Sequence, residues 1–188
     1  GILGCMAQNL RKELFGDAVT NEKAIVDLLV GPDAYKKLPE LIEKAYKHGE
    51  KSADFHLSEF ETYSDVYPER KRGVNAWIAV MRGCDNFCTF CVVPYTRGRE
   101  RSRDPENVVW ETQRLALEGY KQVTLLGQNV NSYRYDNKDF ADLMQMVSQV
   151  DGISRVRFTS PHPKDFPEKL IHAITENPKL CKHIHLPL

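Results

Sequence analysis

Residues 76–91 read AWIAVMRGCDNFCTFC. The first six carry no charge, which suits a strand buried inside a sheet. Directly after them stand Cys84, Cys88 and Cys91, spaced C-x3-C-x2-C. Three thiolates this close supply three corners of a tetrahedral site. That suits zinc, or three of the four irons of a [4Fe–4S] cluster. A cluster held by three cysteines leaves one iron free to bind something else. Zinc knuckles usually bring cysteines as two pairs, and a second pair is absent from the sequence. Cys88-Thr89-Phe90-Cys91 taken alone would serve as a redox dithiol, but that reading leaves Cys84 idle. The iron–sulfur reading uses all three thiols.

Downstream of this stretch the chain alternates strands and helices. Asp104-Pro105 supplies an N-cap and a proline at the first helical position, and the helix runs to Gly119. KQVTLLG (121–127) is a strand, and KDFADLMQMVSQV is a helix with Phe140, Leu143, Met144 and Val147 on one face. SRVRFTS (154–160) is a strand, FPEKLIHAITEN a helix, and HIHLPL a further strand. Alternating units of about 30 residues predict right-handed crossovers and a parallel sheet. The loops RGCDNFCTFC, GQNVNSY and SPHP then fall at the C-terminal ends of strands, where α/β folds place function. Upstream, AIVDLLV (24–30) reads as a strand closed by Gly31-Pro32. Pro39 opens a helix that stops at Gly49, and the charged, tyrosine-rich stretch after it has no sustained period. The expected division is residues 1–52 as the end of a small N-terminal α/β domain, 53–75 as a linker and 76–188 as the second domain.

Composition excludes several classes. The 188 residues are 41% hydrophobic and 28% charged with a formal net charge of zero, so any pull toward nucleic acid must come from a local patch. No apolar run approaches the roughly 18 residues of a membrane-spanning helix. The start, GILGCMAQ, has neither an initiator Met nor a signal-peptide pattern and reads as the interior of a longer chain. Five cysteines, an odd and clustered set, argue against a secreted disulfide framework and for reduced thiolates in the cytoplasm.

The motifs GCMAQ, VGPD, CTFCVVPYTRGRERSR, LLGQNVNSY, RFTSPHPKDF and HIHLPL, in this order, resemble the methylthiotransferases of the radical S-adenosylmethionine (SAM) superfamily. The resemblance covers nearly the whole chain and lies nearest the members that methylthiolate isopentenyl-adenosine beside the tRNA anticodon. Relatives acting on threonylcarbamoyl-adenosine or a ribosomal protein are the alternative. So, from another class, is a non-catalytic zinc or iron–sulfur module that binds RNA. The resemblance implies a partial TIM-like (β/α) barrel of about four βα units. It implies a [4Fe–4S] cluster on Cys84, Cys88 and Cys91 whose free iron chelates SAM. One electron from that cluster cleaves SAM to methionine and a 5′-deoxyadenosyl radical. It further implies a second, auxiliary [4Fe–4S] cluster, with Cys5 as one of three ligands. A tRNA substrate, a flavodoxin-like or similar electron donor, a monomeric state and cytoplasmic placement complete what it implies.

The same resemblance marks Phe90, Gly127, Gln128, Asn129, Ser160 and His162 as candidate SAM-binding positions. Gln128 and Asn129 offer amide acceptors for the SAM amino group. The bland alternatives are a β–α loop with Asx turns and two prolines that turn the chain off the sheet. Arg97, Arg99, Arg101 and Arg103 alternate with other residues. In an extended segment they would form a comb able to grip phosphates, against the alternative of a solvated, ion-paired face. Cys181 matches no ligand position and is expected to be a buried or half-buried thiol.

Overall fold

The computed structural model describes residues 1–16 and 25–186. The chain divides into two compact units, Gly1–Glu61 with Gly83–Arg99, and Thr62–Arg82 with Glu100–Leu188. The cysteine stretch therefore groups with the N-terminal residues, whereas the sequence expectation placed it with everything after residue 76. Residues 55–74 contain no helix or strand.

The first unit holds three short strands, β1 (Ile2–Leu3), β2 (Leu28–Val30) and β3 (Ser52–Asp54), all parallel and in sequential order. Its helices are α1 (Cys5–Asn9), α2 (Arg11–Phe15), α3 (Leu38–His48) and α4 (Val93–Arg97). The strand expected over 24–30 is realised as β2, and Ala24 lies outside the described residues. Helix α3 has Pro39 in its first turn and ends at Gly49, whose φ of 65° is the left-handed conformation a C-terminal glycine supplies. It buries Leu41 with Val30 and Ala34 in a small core.

The second unit is built on β4 (Asn75–Ala79), β7 (Gln122–Leu126) and β10 (Arg155–Phe158), with β5 (Met81–Arg82) and β6 (Arg101–Ser102) as an antiparallel ribbon beyond β4. The three long strands are parallel, and the pairs Asn75↔Gln122 and Gln122↔Arg155 set the register. Strands consecutive along the chain are neighbours in the sheet, the arrangement of an arc of a β/α barrel. Alternation sends Ile78, Val123, Leu125, Val156 and Phe158 to one face, where all are buried. Helices α5 (Pro105–Leu117), α6 (Phe140–Ser148) and α7 (Glu168–Glu176) pack there through Val108, Leu115, Leu143, Met144, Leu170 and Ile174. Each such aliphatic side chain contributes about 1.5–3 kcal/mol on burial. The start of α5 follows its sequence signal: the Asp104 carboxylate accepts from the Glu106 amide at 2.8 Å. Helix α6 begins with a reciprocal capping box between Asp139 and Asp142. On the opposite face of the sheet Trp77 is 59% exposed.

Two features differ from expectation. The strand predicted at HIHLPL (183–188) is not formed among the described residues; one parallel bridge, between Leu180 and Val156, lies just before it. Residues 182–186 are exposed, Ile184 and Leu186 among them; residues 187–188 lie outside the described residues. Between Asn131 and α6 the chain forms a small hairpin, β8 (Arg134–Tyr135) with β9 (Lys138–Asp139), where the sequence reading began its helix at Lys138. No described helix is long and apolar enough to cross a membrane.

Candidate metal and cofactor site

The cysteine loop leaves the chain after β5 and returns before β6. Its two ends meet backbone to backbone. The Cys84 amide donates to the Gly98 carbonyl at 3.3 Å, and a Cβ on Gly83 would fall 2.0 Å from the Arg99 carbonyl oxygen. Only glycine fits there, and Gly83 also has a φ of 76°. Inside the loop the Cys91 amide donates to the Cys88 carbonyl at 2.9 Å, so these two cysteines bracket a tight turn. Phe87 adopts a left-handed φ of 46°, and its ring makes an edge contact with Tyr95 at 6.0 Å. Cys84 is buried, Cys88 and Cys91 are half-buried, and Phe90 is 92% exposed.

Among the described residues no three of His, Cys, Asp or Glu converge as a ready-made metal cage. The donor chemistry nevertheless fits an iron–sulfur group: three soft thiolates on a loop tied at its mouth. Loops of this kind take their final ligand geometry from the metal they close on.

The second set of candidate residues lies in the second unit, at the C-terminal end of β7. A Cβ on Gly127 would sit 2.6 Å from Met81 Cγ and 3.0 Å from Val130 Cα, which explains the glycine. After it, the Gln128 Oε1 and Asn129 Oδ1 acceptors are buried and find no hydrogen-bond donor among the described residues. Asn129 Nδ2 donates to the Asp165 carboxylate at 2.6 Å, which orients the amide and leaves its oxygen open. Buried acceptors without donors cost about 1–3 kcal/mol each. Two adjacent ones fit a cofactor that brings an ammonium, as SAM does.

Asn131, which the sequence reading passed over, ties this loop to SPHP. Its Nδ2 donates to the His162 carbonyl at 2.9 Å and to the Asp165 carbonyl at 2.6 Å, while its Oδ1 accepts from the His162 amide at 2.8 Å. The one available signal was a second asparagine two positions after Asn129. Ser160 holds a left-handed φ of 58°, and its carbonyl accepts from the Val130 amide at 3.1 Å. The His162 Nδ1 accepts from the Lys164 amide at 3.2 Å, so the ring caps the short turn that follows. Tyr133 closes the first loop: it is 1% exposed and donates its hydroxyl to the Arg103 carbonyl at 2.7 Å. Burial pushes this phenol well above its usual range, so it remains a neutral donor.

The four arginines do not form the expected comb. Within the first unit, Arg97 closes helix α4 and donates its Nε–H to Cys5 Sγ at 3.1 Å. Arg99 pairs with Asp85 at 3.0 Å and lies over the Phe87 ring at 5.5 Å. Within the second unit, Arg101 and Arg103 are 7% and 6% exposed. Arg103 donates to the Ala79 carbonyl at 2.8 Å and pairs with Glu111 at 2.8 Å, and Arg70 meets the other oxygen of the same carboxylate at 2.5 Å. The comb required an extended backbone throughout. Helix α4 and the positive-φ Gly98 that ends it interrupt the comb, and Glu111, on the buried face of α5, draws Arg103 inward. Cys181 is half-buried, as expected.

The sequence profile of the radical SAM superfamily matches residues 78–188, which takes in the end of β4, the cysteine loop and the chain from β5 through α7. The chain belongs to the radical SAM superfamily. Over its whole length it is also similar to proteins named tRNA-2-methylthio-N(6)-dimethylallyladenosine synthase. It is 53% identical to the one from Chloroherpeton thalassium, 50% to that from Bacteroides thetaiotaomicron and 46% to that from Porphyromonas gingivalis. The chain spans 41%, 41% and 40% of these relatives. In the arc of a radical SAM barrel, the cysteine loop follows the first strand and the open amide acceptors follow the second.

Proposed function

We propose that this chain is the central part of a tRNA methylthiotransferase that places a methylthio group on isopentenyl-adenosine beside the anticodon. The observation that carries the reading is C-x3-C-x2-C after β5, and the two buried, donor-free amide oxygens after β7 support it separately. Identities of 46–53% over the full chain to the named synthases support the substrate. In this reading Cys84, Cys88 and Cys91 hold a [4Fe–4S] cluster, and Cys5 is one ligand of an auxiliary cluster. When bound, the first cluster and SAM together supply a radical able to remove hydrogen from an unreactive C–H bond. Gln128 Oε1 and Asn129 Oδ1 accept hydrogen bonds from the SAM ammonium, and Asp165 keeps the Asn129 amide turned the right way. Gly127 keeps the loop low over Met81 and Val130. Asn131 holds the Ser160–Asp165 segment in register, where Ser160 and His162 border the cofactor. Phe90, exposed beside Cys91, is left to cover bound nucleoside. Arg99, exposed though paired with Asp85, is the one of the four arginines placed to reach phosphate. A flavodoxin-like protein supplies the electron, and the enzyme works as a cytoplasmic monomer.

The deciding test is mass spectrometry of tRNA from a strain lacking the full-length gene. The methylthio mass on the modified adenosine must vanish and must return on complementation with the intact gene. It must not return with Cys84→Ala, Cys88→Ala or Cys91→Ala. Full restoration by any of these three variants would refute the assignment.

A further inference from the structure

Asn86 stands inside the cysteine loop, two residues after Cys84 and two before Cys88. Its neighbours on either side face outward. Asp85 and Phe87 are both exposed, and both meet Arg99: the Asp85 carboxylate pairs with its Nε at 3.0 Å, and the guanidinium lies 5.5 Å from the Phe87 ring centroid. Asn86 between them is half-buried, and its Nδ2 is buried with no hydrogen-bond acceptor among the described residues. Phe87 then holds its left-handed φ of 46°, a strained conformation for a bulky side chain, before the Cys88–Cys91 turn begins. A buried amide donor left without an acceptor is rare in a loop that only has to pack, because the donor loses its water and gains nothing in return. An acceptor carried by a bound group removes that cost. The acceptors that an iron–sulfur group brings to this loop are sulfurs carrying negative charge, the Cys84 and Cys88 thiolates among them. A hydrogen bond to such a sulfur is charge-assisted and strengthens as the charge grows. It therefore favours the reduced state of the group and raises its reduction potential.

We propose that Asn86, through its Nδ2–H, donates a hydrogen bond to a sulfur of the iron–sulfur group held by Cys84, Cys88 and Cys91, and so sets the potential at which that group takes up an electron. The inference rests on the assignment of these three cysteines as cluster ligands. Asn86 is a positioning residue: it binds no iron and acts through the sulfur. Asp85 and Phe87, engaged by Arg99, keep the asparagine turned inward. The bond fastens the loop from within, as the Cys84 amide and the Gly98 carbonyl fasten its mouth.

The test uses the full-length protein, loaded anaerobically with iron and sulfide and titrated with dithionite under EPR. The signal of this loop is the one missing from the triple variant Cys84→Ala, Cys88→Ala, Cys91→Ala. Asn86→Leu keeps the size of the side chain and removes the donor, so the midpoint potential of that signal must shift negative at unchanged iron content. Asn86→Gln keeps an amide donor and must shift less than Asn86→Leu. A wild-type potential in Asn86→Leu overturns the proposal, as does an equal or larger shift in Asn86→Gln. A purely structural role would lower the iron content and leave the potential of the loaded fraction in place, which also overturns it. Should Asn86→Leu fail to hold iron, Asn86→Gln against Asn86→Met makes the same comparison, since of the two only the amide supplies a donor, and equal potentials refute the role. A triple variant that keeps every signal sinks the ligand assignment itself. A signal lost there, with an unmoved potential in Asn86→Leu, sinks only the role of Asn86.

Discussion

Replacing Asn131 by alanine should loosen the second cofactor loop more than any other single change there. The side chain is 6% exposed and makes three hydrogen bonds, two donated to the His162 and Asp165 carbonyls and one accepted from the His162 amide. Each is worth about 1 kcal/mol net, so Asn131→Ala should lower the local opening free energy of this segment by about 3 kcal/mol. The His162 amide donates to Asn131 Oδ1 and reports directly on that opening. Since 1.4 kcal/mol is a factor of ten, its hydrogen exchange should speed up about 100-fold. Amides on β7 and β10, whose partners lie in the sheet ladder, should keep their rates. Asn131→Asp retains the acceptor for His162 but sets a carboxylate against two carbonyls, so it should not rescue. SAM affinity, read by calorimetry on the iron-loaded full-length protein, should fall in both variants. If His162 exchange in Asn131→Ala changed less than threefold, Asn131 would not be what holds the two loops together.

Three further outcomes follow from other parts of the fold. Glu111→Ala should lower the unfolding free energy by about 3–5 kcal/mol in urea, because it strands the buried Arg103 and half-buried Arg70 guanidinium groups without their shared carboxylate. Gly83→Ala should cut iron per chain after anaerobic reconstitution, since its Cβ meets the Arg99 carbonyl oxygen at 2.0 Å; Gly73→Ala, with nothing nearer than 3.9 Å, is the control. Asp142→Asn should flatten the acid limb of the urea midpoint against pH. Burial alone would raise the Asp142 carboxyl, but hydrogen bonds from Lys169 and from Asp139 outweigh it and hold the group below its usual value of 3.8. That contribution is present above 3.8 and is lost as pH falls through the depressed value, so wild type and variant should diverge only above it.

The sequence made legible whatever was written in local chemistry. Asp104-Pro105 announced α5, Pro39 and Gly49 framed α3, and alternating βα units predicted the parallel order of β4, β7 and β10. Cysteine spacing singled out Cys84, Cys88 and Cys91 because three thiols so close have few other uses. What stayed hidden depended on partners distant in sequence. Arg103 looked like one tooth of a basic comb, and only Glu111, eight positions on, and Arg70, far upstream, make it a buried ion. Arg97 looked the same, yet it donates to Cys5, 92 residues away. Asn131 looked like any loop asparagine until the His162 segment came back to meet it. For charged side chains, then, local pattern proposes a solvated role by default, and tertiary packing decides otherwise wherever a buried acceptor lies within reach. Glu111 was itself the clue that could have been read. It sits on the same face of α5 as Val108 and Leu115, where a carboxylate is costly unless cations reach it. A lone acid on an apolar stripe thus foretells buried arginines, and one of them was Arg103, which the sequence reading had placed in a phosphate-gripping comb.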